Sequence, residues 1–141
     1  MRAEQFIKDH GLERAREVVE GAPRAKSFIS GDVKEAQGYN SNLSKYVMWD
    51  WVYKFHWNEN DWQIHSYTWS EFIIDVFNLS DLKRLVESVD RVNQRGYSKT
   101  KDHLDYLISY SSEFGHVSKE EVNELTADLK NYESIYGEGN E

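Results

Sequence analysis

The sequence predicts an α+β fold with an N-terminal helical pair, a small antiparallel sheet built on a Trp-rich hairpin, and three C-terminal helices. Apolar residues recur three or four positions apart at both ends of the chain, which is the period of an amphipathic helix. Between residues 46 and 57 every second residue, from Val47 to Trp57, is apolar, which is the period of a strand with one buried face. Helices and strands that occupy separate stretches of a chain are typical of α+β proteins.

The length and composition predict a single domain over residues 1–141. A chain of 141 residues with 39% hydrophobic residues can bury a core without cross-links, and it has no cysteine for disulfides or thiolate metal sites. It contains no apolar run of about 18 residues, and its N-terminal sequence MRAEQFIKDH has a charged helical pattern rather than that of a signal peptide. We therefore expect a protein without a membrane segment, located in the cytoplasm.

Two short helices are expected over residues 3–20, with a hinge at Gly11 where glycine interrupts the helical pattern. The pattern stops at Gly-Ala-Pro, residues 21–23, because proline cannot continue a helix. Residues 24–44 contain several Gly, Asn and Ser residues, and this composition predicts a long loop.

All five tryptophans lie in one segment, WDWVYKFHWNENDWQIHSYTW, residues 49–69. The alternation predicts one continuous strand over residues 46–57, and the tetrapeptide Asn-Glu-Asn-Asp, residues 58–61, predicts a hairpin loop after it. The apolar run FIIDVF, residues 72–77, predicts a third strand.

The hairpin loop fixes a register in which the apolar faces of the two strands coincide. Phe55 then lies opposite Ile64, and Trp57 lies opposite Trp62. A shift by one residue would turn every apolar side chain of one strand to the polar face, which is why we expect this register.

One face of the predicted hairpin carries four tryptophans, and two interpretations of it stay open. The four residues are Trp49, Trp51, Trp57 and Trp62. In the first interpretation helices cover them and they form the core. In the second, the flat aromatic face stacks a sugar, a base or a side chain of a partner.

The opposite, polar face of the hairpin is the predicted partner-binding surface. Trp69 lies on this face among polar neighbours, where an aromatic ring is typical of a contact residue. The residues predicted to contact a partner are Trp69, Tyr67, His65, Lys54, Asp50 and Glu59.

Local end signals predict the first two C-terminal helices. Asn78 or Ser80 can cap the first of them, and Gly96 ends it. Ser98 is positioned to cap the second.

The third C-terminal helix carries a narrow apolar seam. It begins at a capping box, Ser-Lys-Glu-Glu, residues 118–121, and ends at Gly137, after which residues 138–141 are expected to form a flexible tail. Such a seam is suited to packing on another helix, either of the same chain or of a second copy in a homodimer. The seam residues are Val122, Leu125, Leu129, Tyr132 and Tyr136.

The net charge of −8 is unevenly distributed along the chain. Residues 27–78 carry −4 and residues 115–141 carry −5, whereas the remainder is close to neutral. Nucleic-acid binders need a basic stripe that displaces counterions from phosphates, and neither acidic segment supplies one. The charge pattern therefore predicts a protein partner with a basic surface rather than a nucleic acid.

Signatures of catalysis and of metal or cofactor binding are absent from the sequence. It contains no glycine-rich phosphate loop, no HExxH and no GxSxG. His56 and His65 are the only histidines expected to be neighbours, and a third metal ligand is missing beside them. Asp102, His103 and Asp105 are close in sequence, but adjacent helix positions point in different directions. We therefore predict no metal, no cofactor and no enzymatic activity.

Two segments, AEQFIKDHGLERAREVVEGAP and NLSDLKRLVESVDRV, resemble small accessory proteins encoded in the early regions of temperate phages of enterobacteria. They cover about a quarter of the chain and have no catalytic content. The resemblance implies a phage-borne modulator of a host process that acts in the host-cell cytoplasm, with a host defence protein among the candidate targets. It carries over no functional residues.

Together these observations predict a non-enzymatic protein-binding module that inhibits or modulates a host protein. The alternative is a small-molecule binder that stacks a nucleotide or a sugar on the aromatic face of the sheet.

Overall fold

The α+β prediction is confirmed: two helices precede an antiparallel sheet, and three helices follow it. The predicted tail at residues 138–141 lies outside the described part of the chain. The computed structural model describes residues 2–27, 29–50, 53–64, 76–114 and 119–137, with the backbone alone for 111–114.

The chain divides into two compact units, residues 1–83 and residues 84–141. The prediction of one domain over residues 1–141 stays a prediction. The elements described in the first unit are α1 (Ala3–His10), α2 (Leu12–Glu20), β1 (Arg24–Lys26), β2 (Val33–Glu35), β3 (Gly38–Asn40), β4 (Lys45–Asp50), β5 (Tyr53–Trp57), β6 (Trp62–Ile64) and β7 (Val76–Asn78). Helix α3 (Leu79–Arg95) begins at the end of this unit and continues into the second, which also contains α4 (Tyr97–Phe114) and α5 (Lys119–Tyr136).

The two N-terminal helices are separated at Gly11, as the sequence predicts. Gly11 has a φ of 87°, a left-handed conformation that glycine adopts without steric cost. Its N–H donates to the carbonyl of Ile7 at 2.8 Å and so ends α1. Helix α1 packs on the sheet through Phe6, whose ring centroid lies 4.9 Å from that of Phe77 and 5.9 Å from that of Tyr39.

Five strands form an antiparallel sheet in the order β6-β5-β4-β3-β7. The predicted register of the hairpin is confirmed, because Phe55 pairs with Ile64 and Trp57 pairs with Trp62. Strand β7 overlaps the end of the predicted strand at residues 72–77, and it pairs with β3. The first four residues of that prediction lie outside the described chain.

The predicted hairpin loop between β5 and β6 is confirmed. The side-chain oxygen of Asn58 accepts hydrogen bonds from the main-chain N–H groups of Asn60 at 3.3 Å and Asp61 at 3.1 Å. The N–H of Asn58 donates to the carbonyl of Asp61 at 3.2 Å, which closes the turn. The turn was predicted because an asparagine side chain readily accepts hydrogen bonds from the backbone N–H groups that follow it.

The prediction of one continuous strand over residues 46–57 is wrong. Asp50 pairs with Tyr53, so the chain reverses direction between β4 and β5. Directly paired residues share a face, and side chains alternate along each strand. The even-numbered residues of β4 therefore lie on the same face as the odd-numbered residues of β5.

The predicted grouping of four tryptophans on one face is wrong for Trp49. This residue pairs with Lys54, so it lies on the face opposite to that of Trp57 and Trp62. Trp51 lies outside the described residues.

The face of the sheet that carries Phe55, here called the core face, holds one hydrophobic cluster of the first unit, whereas the buried Val47 lies on the opposite face. The fully buried centre of this cluster consists of Met48, Phe55 and Trp62. Trp57 is half-buried and packs against this centre, with its ring centroid 5.0 Å from that of Trp62 in an edge-to-face arrangement. Trp62 is therefore a core residue, as in the first interpretation of the tryptophan-rich face, but strand residues rather than helices pack against it among the described residues.

The predicted long loop at residues 24–44 is wrong, because this segment contains the three short strands β1, β2 and β3. Strands β1 and β2 form a two-stranded antiparallel ribbon, from which Ala25 and Ala36 pack against the core face. The indole N–H of Trp62 donates to the carbonyl of Lys34 at 3.3 Å. The ribbon thus covers the core with small side chains and satisfies the polar atom of the buried ring.

The C-terminal helices begin and end close to the predicted positions. Asn78 caps α3, since its side-chain oxygen accepts the N–H of Ser80 at 2.8 Å. Gly96 ends α3 with a φ of 96°. Helix α4 begins directly at Tyr97 rather than after the predicted cap Ser98.

The apolar seam of α5 packs within the same chain. Leu125, Leu129 and Tyr132 are buried, and the ring of Tyr132 stacks on that of Tyr97 in α4 with centroids 5.2 Å apart. Helix α5 ends at Gly137 as predicted, whereas residue 118 of the capping box lies outside the described chain. The homodimer stays a prediction.

A buried carboxylate, Asp128, interrupts this seam. Arg91 donates to it in a bidentate arrangement, with both nitrogen–oxygen distances at 2.8 Å, and the hydroxyl of Ser88 donates to it at 2.9 Å. The side-chain amide of Asn131 donates in turn to that hydroxyl at 3.0 Å. The hydrogen bond with Asp128 raises the pKa of Arg91 above its ordinary value. Helices α3 and α5 are therefore joined by a polar link as well as by apolar contacts.

Candidate functional site

The structure describes three of the six predicted contact residues and does not bring them together. Lys54 and Asp50 lie on opposite faces of the sheet. Glu59 is exposed in the hairpin loop at the far end of β5, on the order of 13 Å along the strand from the Asp50 end. The other three residues lie outside the described chain: His65, Tyr67 and Trp69.

Asp50 is not an exposed contact residue. It is buried on the core face, where its carboxylate accepts a hydrogen bond from the hydroxyl of Ser27. That bond holds the pKa of Asp50 below its ordinary value against the opposing effect of burial, and Ser30 and Lys34 lower the pKa further. Asp50 therefore acts as an internal acceptor for the loop that contains the two serines.

This loop, residues 27–32 between β1 and β2, is here called the anchored loop; residue 28 lies outside the described part. The hydroxyl of Ser27 that donates to Asp50 also accepts the N–H of Ile29 at 3.2 Å. The N–H of Ser27 donates to the carbonyl of Asp32 at 2.9 Å, which closes the loop. Hydrogen bonds therefore hold the backbone of Ser27 and Ile29, and the side chain of Ile29 is exposed.

Four exposed apolar side chains lie in the anchored loop, directly after it, or beside the strand position that anchors it; Val33 lies on the outer face of the ribbon, opposite to Ala25. Ile29 belongs to the loop, Val33 follows it directly, and Tyr53 pairs with the Asp50 that anchors it. Ile64 lies diagonally beside Tyr53 on the core face, since it pairs with the next core-face residue of β5. We call these four residues the apolar rim.

Sequence patterns did not predict the anchored loop or the apolar rim. The one available signal was the spacing of Ser27 and Ser30 around a loop, because serine hydroxyls readily bond neighbouring backbone. The acceptor that fixes the loop, Asp50, is 23 residues further along the chain, and no local pattern connects it to Ser27.

The face opposite the core face is mixed rather than polar. Trp49, Lys54 and His56 are half-buried on it. Burial, together with the charge of Lys45, lowers the pKa of His56, which favours its neutral form. The indole of Trp49 borders a cavity of about 440 Å³ that is also lined by Val76.

The described residues contain no group of three His, Asp or Glu side chains that could hold a metal ion. His103 lies 3.3 Å from Glu121 and not in a dyad with either neighbouring aspartate. Within the same part of the chain, no helix is both long enough and apolar enough to cross a membrane.

Replacing Ser27 with alanine is expected to raise the pKa of Asp50 toward its ordinary value of 3.8, because the hydroxyl is the main group that lowers it. A carboxylate with a depressed pKa in the folded state stabilises the fold above its unfolded pKa and loses that contribution as the pH falls through its folded pKa. The variant should therefore lose stability at neutral pH and show a weaker dependence of stability on pH in the acidic range. Carbon NMR of the Asp50 carboxyl group measures the pKa directly.

The control for this variant is Ser134→Ala, which removes an exposed hydroxyl that bonds only a carbonyl of its own helix. An unchanged pKa of Asp50 in Ser27→Ala would show that the hydroxyl does not anchor the loop.

No protein-family model, curated protein or solved structure matches the chain.

Proposed function

We propose that the protein is a non-enzymatic protein-binding module, of the kind by which a phage inhibits or modulates a host protein. The observation that carries the proposal is the apolar rim beside the anchored loop. Exposed apolar side chains that sit on a hydrogen-bonded backbone lose little conformational freedom on binding, so their burial contributes to affinity. A host defence protein is one candidate target.

The charge of the chain supports a partner with a basic surface. Residues 1–83 contain ten Lys and Arg against thirteen Asp and Glu, and residues 84–141 contain seven against twelve. Each unit is thus acidic by itself. Complementary charge speeds association and is screened by salt, whereas buried apolar contacts govern dissociation.

Replacing Tyr53 or Ile64 with alanine is expected to raise the dissociation rate of the partner complex. If either side chain is an anchor, its loss costs about 2 kcal/mol of binding energy, or roughly thirty-fold in affinity. Both side chains are exposed, so the free protein should keep its thermal midpoint. The partner is recovered from host lysate by affinity capture, and its kinetics are then measured by surface plasmon resonance.

The matched controls are Tyr106→Ala and Ile108→Ala, which remove exposed apolar side chains of the second unit. The predicted anchors Tyr67 and Trp69 belong in the same series of alanine variants. Wild-type dissociation from the Tyr53 and Ile64 variants would remove the apolar rim from the proposed contact surface. Association that does not slow with added salt would contradict a basic partner.

The alternative function, a small-molecule binder, is supported by the cavity beside Trp49. Its volume of about 440 Å³ lies in the range of small-ligand sites, and an indole at its edge can stack a base or a sugar ring. A thermal-shift screen of nucleotides and sugars tests it, with Trp49→Ala as the variant that should abolish any shift.

A further inference from the structure

The cavity beside Trp49, here called the Trp49 cavity, has an uncharged lining. The strand register places Gly38, Trp49 and Val76 on one face of the sheet, opposite the core face. An aromatic ring, a stretch of backbone without a side chain and an apolar side chain therefore border the same space. The described residues that line it are Gln37, Gly38, Trp49, Val76, Phe77 and Asn78.

The side-chain amide of Gln37 is oriented by a hydrogen bond at its oxygen. Its Oε1 atom accepts the main-chain N–H of Trp49 at 2.7 Å. Because an amide nitrogen cannot accept that hydrogen bond, the contact fixes which end of the group is the oxygen. The Nε2 group of Gln37 is the end that stays available, and no described residue accepts a hydrogen bond from it.

A second amide of the Trp49 cavity, that of Asn78, is oriented in the same way. Its Oδ1 atom accepts the main-chain N–H of Ser80 at 2.8 Å and the hydroxyl of Ser80 at 2.5 Å. The Nδ2 group of Asn78 donates to no described residue. The cavity thus has two N–H donors whose own oxygens are already bonded, and they need little further ordering to donate to a ligand.

We infer that the Trp49 cavity binds the base of a nucleoside, which stacks on the indole and accepts hydrogen bonds from Gln37 and Asn78. Bases that carry carbonyl oxygens are planar, uncharged and rich in acceptors, and base–aromatic stacking is a strong contact. A neighbouring cavity of about 540 Å³ shares Gln37 and Asn78 with this one, so it has space for the ribose. The inference rests on the small-molecule function, whose ligand class it names, and is independent of the apolar rim.

A free sugar fits the Trp49 cavity less well than a base does. Sugar hydroxyls donate as well as accept, but the side-chain oxygens of Gln37 and Asn78 already accept hydrogen bonds from the protein. A hydroxyl would therefore give up its bonds to water without gaining a strong acceptor. A phosphate group would find no cationic side chain among the described residues that line this cavity.

The test is an NMR titration of the full chain with uridine, followed through the main-chain amides and the side-chain N–H groups. We expect saturable shift changes at residues 37–38, 49 and 76–78, including the side-chain amides of Gln37 and Asn78. Dihydrouridine keeps both carbonyls but lacks the flat ring, the phenyl C-riboside keeps a flat ring without carbonyls, and ribose has neither. Each should bind at least about tenfold more weakly than uridine, because it loses stacking, hydrogen bonds or both.

Asn78→Asp tests the site within the protein. It keeps the oxygen that accepts from Ser80, and aspartate caps a helix as well as asparagine does, so the fold should be unaffected, which a circular dichroism melt checks. The lost donor becomes an oxygen that repels a base carbonyl, and uridine should bind about tenfold more weakly. Asn58→Asp is the matched control, because the oxygen of Asn58 also accepts a following N–H but does not line the cavity. Equal weakening by the two variants, or equal binding of the phenyl C-riboside and uridine, would overturn the inference.

The comparison ligands separate this inference from the small-molecule function. Ribose that binds at the Trp49 cavity as tightly as uridine overturns the assignment of a base and leaves the small-molecule function intact. Shift changes with none of the four ligands also overturn the assignment, and the thermal-shift screen then decides by itself whether other small molecules bind. Uridine that binds wild type and Asn58→Asp equally, and Asn78→Asp more weakly, supports both.

Discussion

Replacing Trp62 with alanine is expected to lower the free energy of unfolding by about 3–5 kcal/mol, the usual cost of truncating a large aromatic residue in a core. Trp62 is only 2% exposed and packs against Met48 and Phe55. The change would leave a cavity under the β1–β2 ribbon. It would also remove the N–H donor to the carbonyl of Lys34, which adds to the loss.

The matched comparison is Trp57→Ala in the paired position. Trp57 is half-buried, so its truncation should cost about half as much as that of Trp62, in proportion to the smaller apolar area that it buries. The midpoint of chemical denaturation, followed by circular dichroism because both variants change the fluorescence, gives the two values. Equal losses, or a larger loss for Trp57, would contradict the assignment of Trp62 to the centre of the core.

Trp57 and Trp62 are paired but differ in burial, and the sequence could predict the pairing but not the difference in burial. The Asn58 turn and the alternation in β5 are strong local signals, and they predict the register of β5 with β6 correctly. They say nothing about which of two facing rings lies at the centre. That depends on where the β1–β2 ribbon covers the sheet, and only long-range packing decides it.

The reversal of the chain between β4 and β5 was not predicted, because the sequence of β4 is apolar on both faces. Residues 46–49 of β4 are all apolar, so either face of that strand could have been the buried one. An apparent alternation then runs through the reversal without a break, and no glycine or asparagine marks it. A strand with apolar residues on both faces is compatible with either register.

The contact site stays a prediction, and the structure separates those of its residues that it describes. Its exposed residues were chosen by their position on one continuous strand, so the reversal separates Lys54 from Asp50. The sequence of β1 and β2 predicted a loop, because three-residue strands with mostly polar outer side chains resemble loop sequence. The anchored loop depends on the pairing of Ser27 with Asp50, which only the folded chain brings together.

The C-terminal helices were predicted more reliably, because glycines at positive φ and an asparagine cap act locally. The exception is Asp128, a charged residue within the apolar seam whose burial no local pattern explains. It is buried, because Arg91 supplies a neutralising charge from a position 37 residues earlier in the chain.

Replacing Arg91 with alanine is expected to destabilise the second unit by about 3 kcal/mol, at the lower end of the cost of leaving a buried charge unpaired. The carboxylate of Asp128 is the buried member of the pair, and among the described residues it would keep only the hydroxyl of Ser88 as a donor. All five tryptophans lie within residues 49–69, so fluorescence reports on the first unit. Circular dichroism at 222 nm and amide exchange of α3 and α5 report on the second.

Replacing Asp128 and replacing Arg91 should not destabilise the protein equally, and this difference tests the role of the pair more sharply than either variant alone. Asp128→Ala leaves the guanidinium of Arg91 without its carboxylate, but more than half of that side chain is already solvated. It should therefore cost less than Arg91→Ala, and the double variant Arg91→Ala with Asp128→Ala should be no less stable than Arg91→Ala alone, since no unpaired carboxylate remains. Arg95→Ala is the control and should change stability by no more than about 0.5 kcal/mol, because Arg95 is exposed and bonds no described residue. A double variant whose loss equals the sum of the two single losses would show that Arg91 and Asp128 act independently, and that the link between α3 and α5 does not depend on the pair.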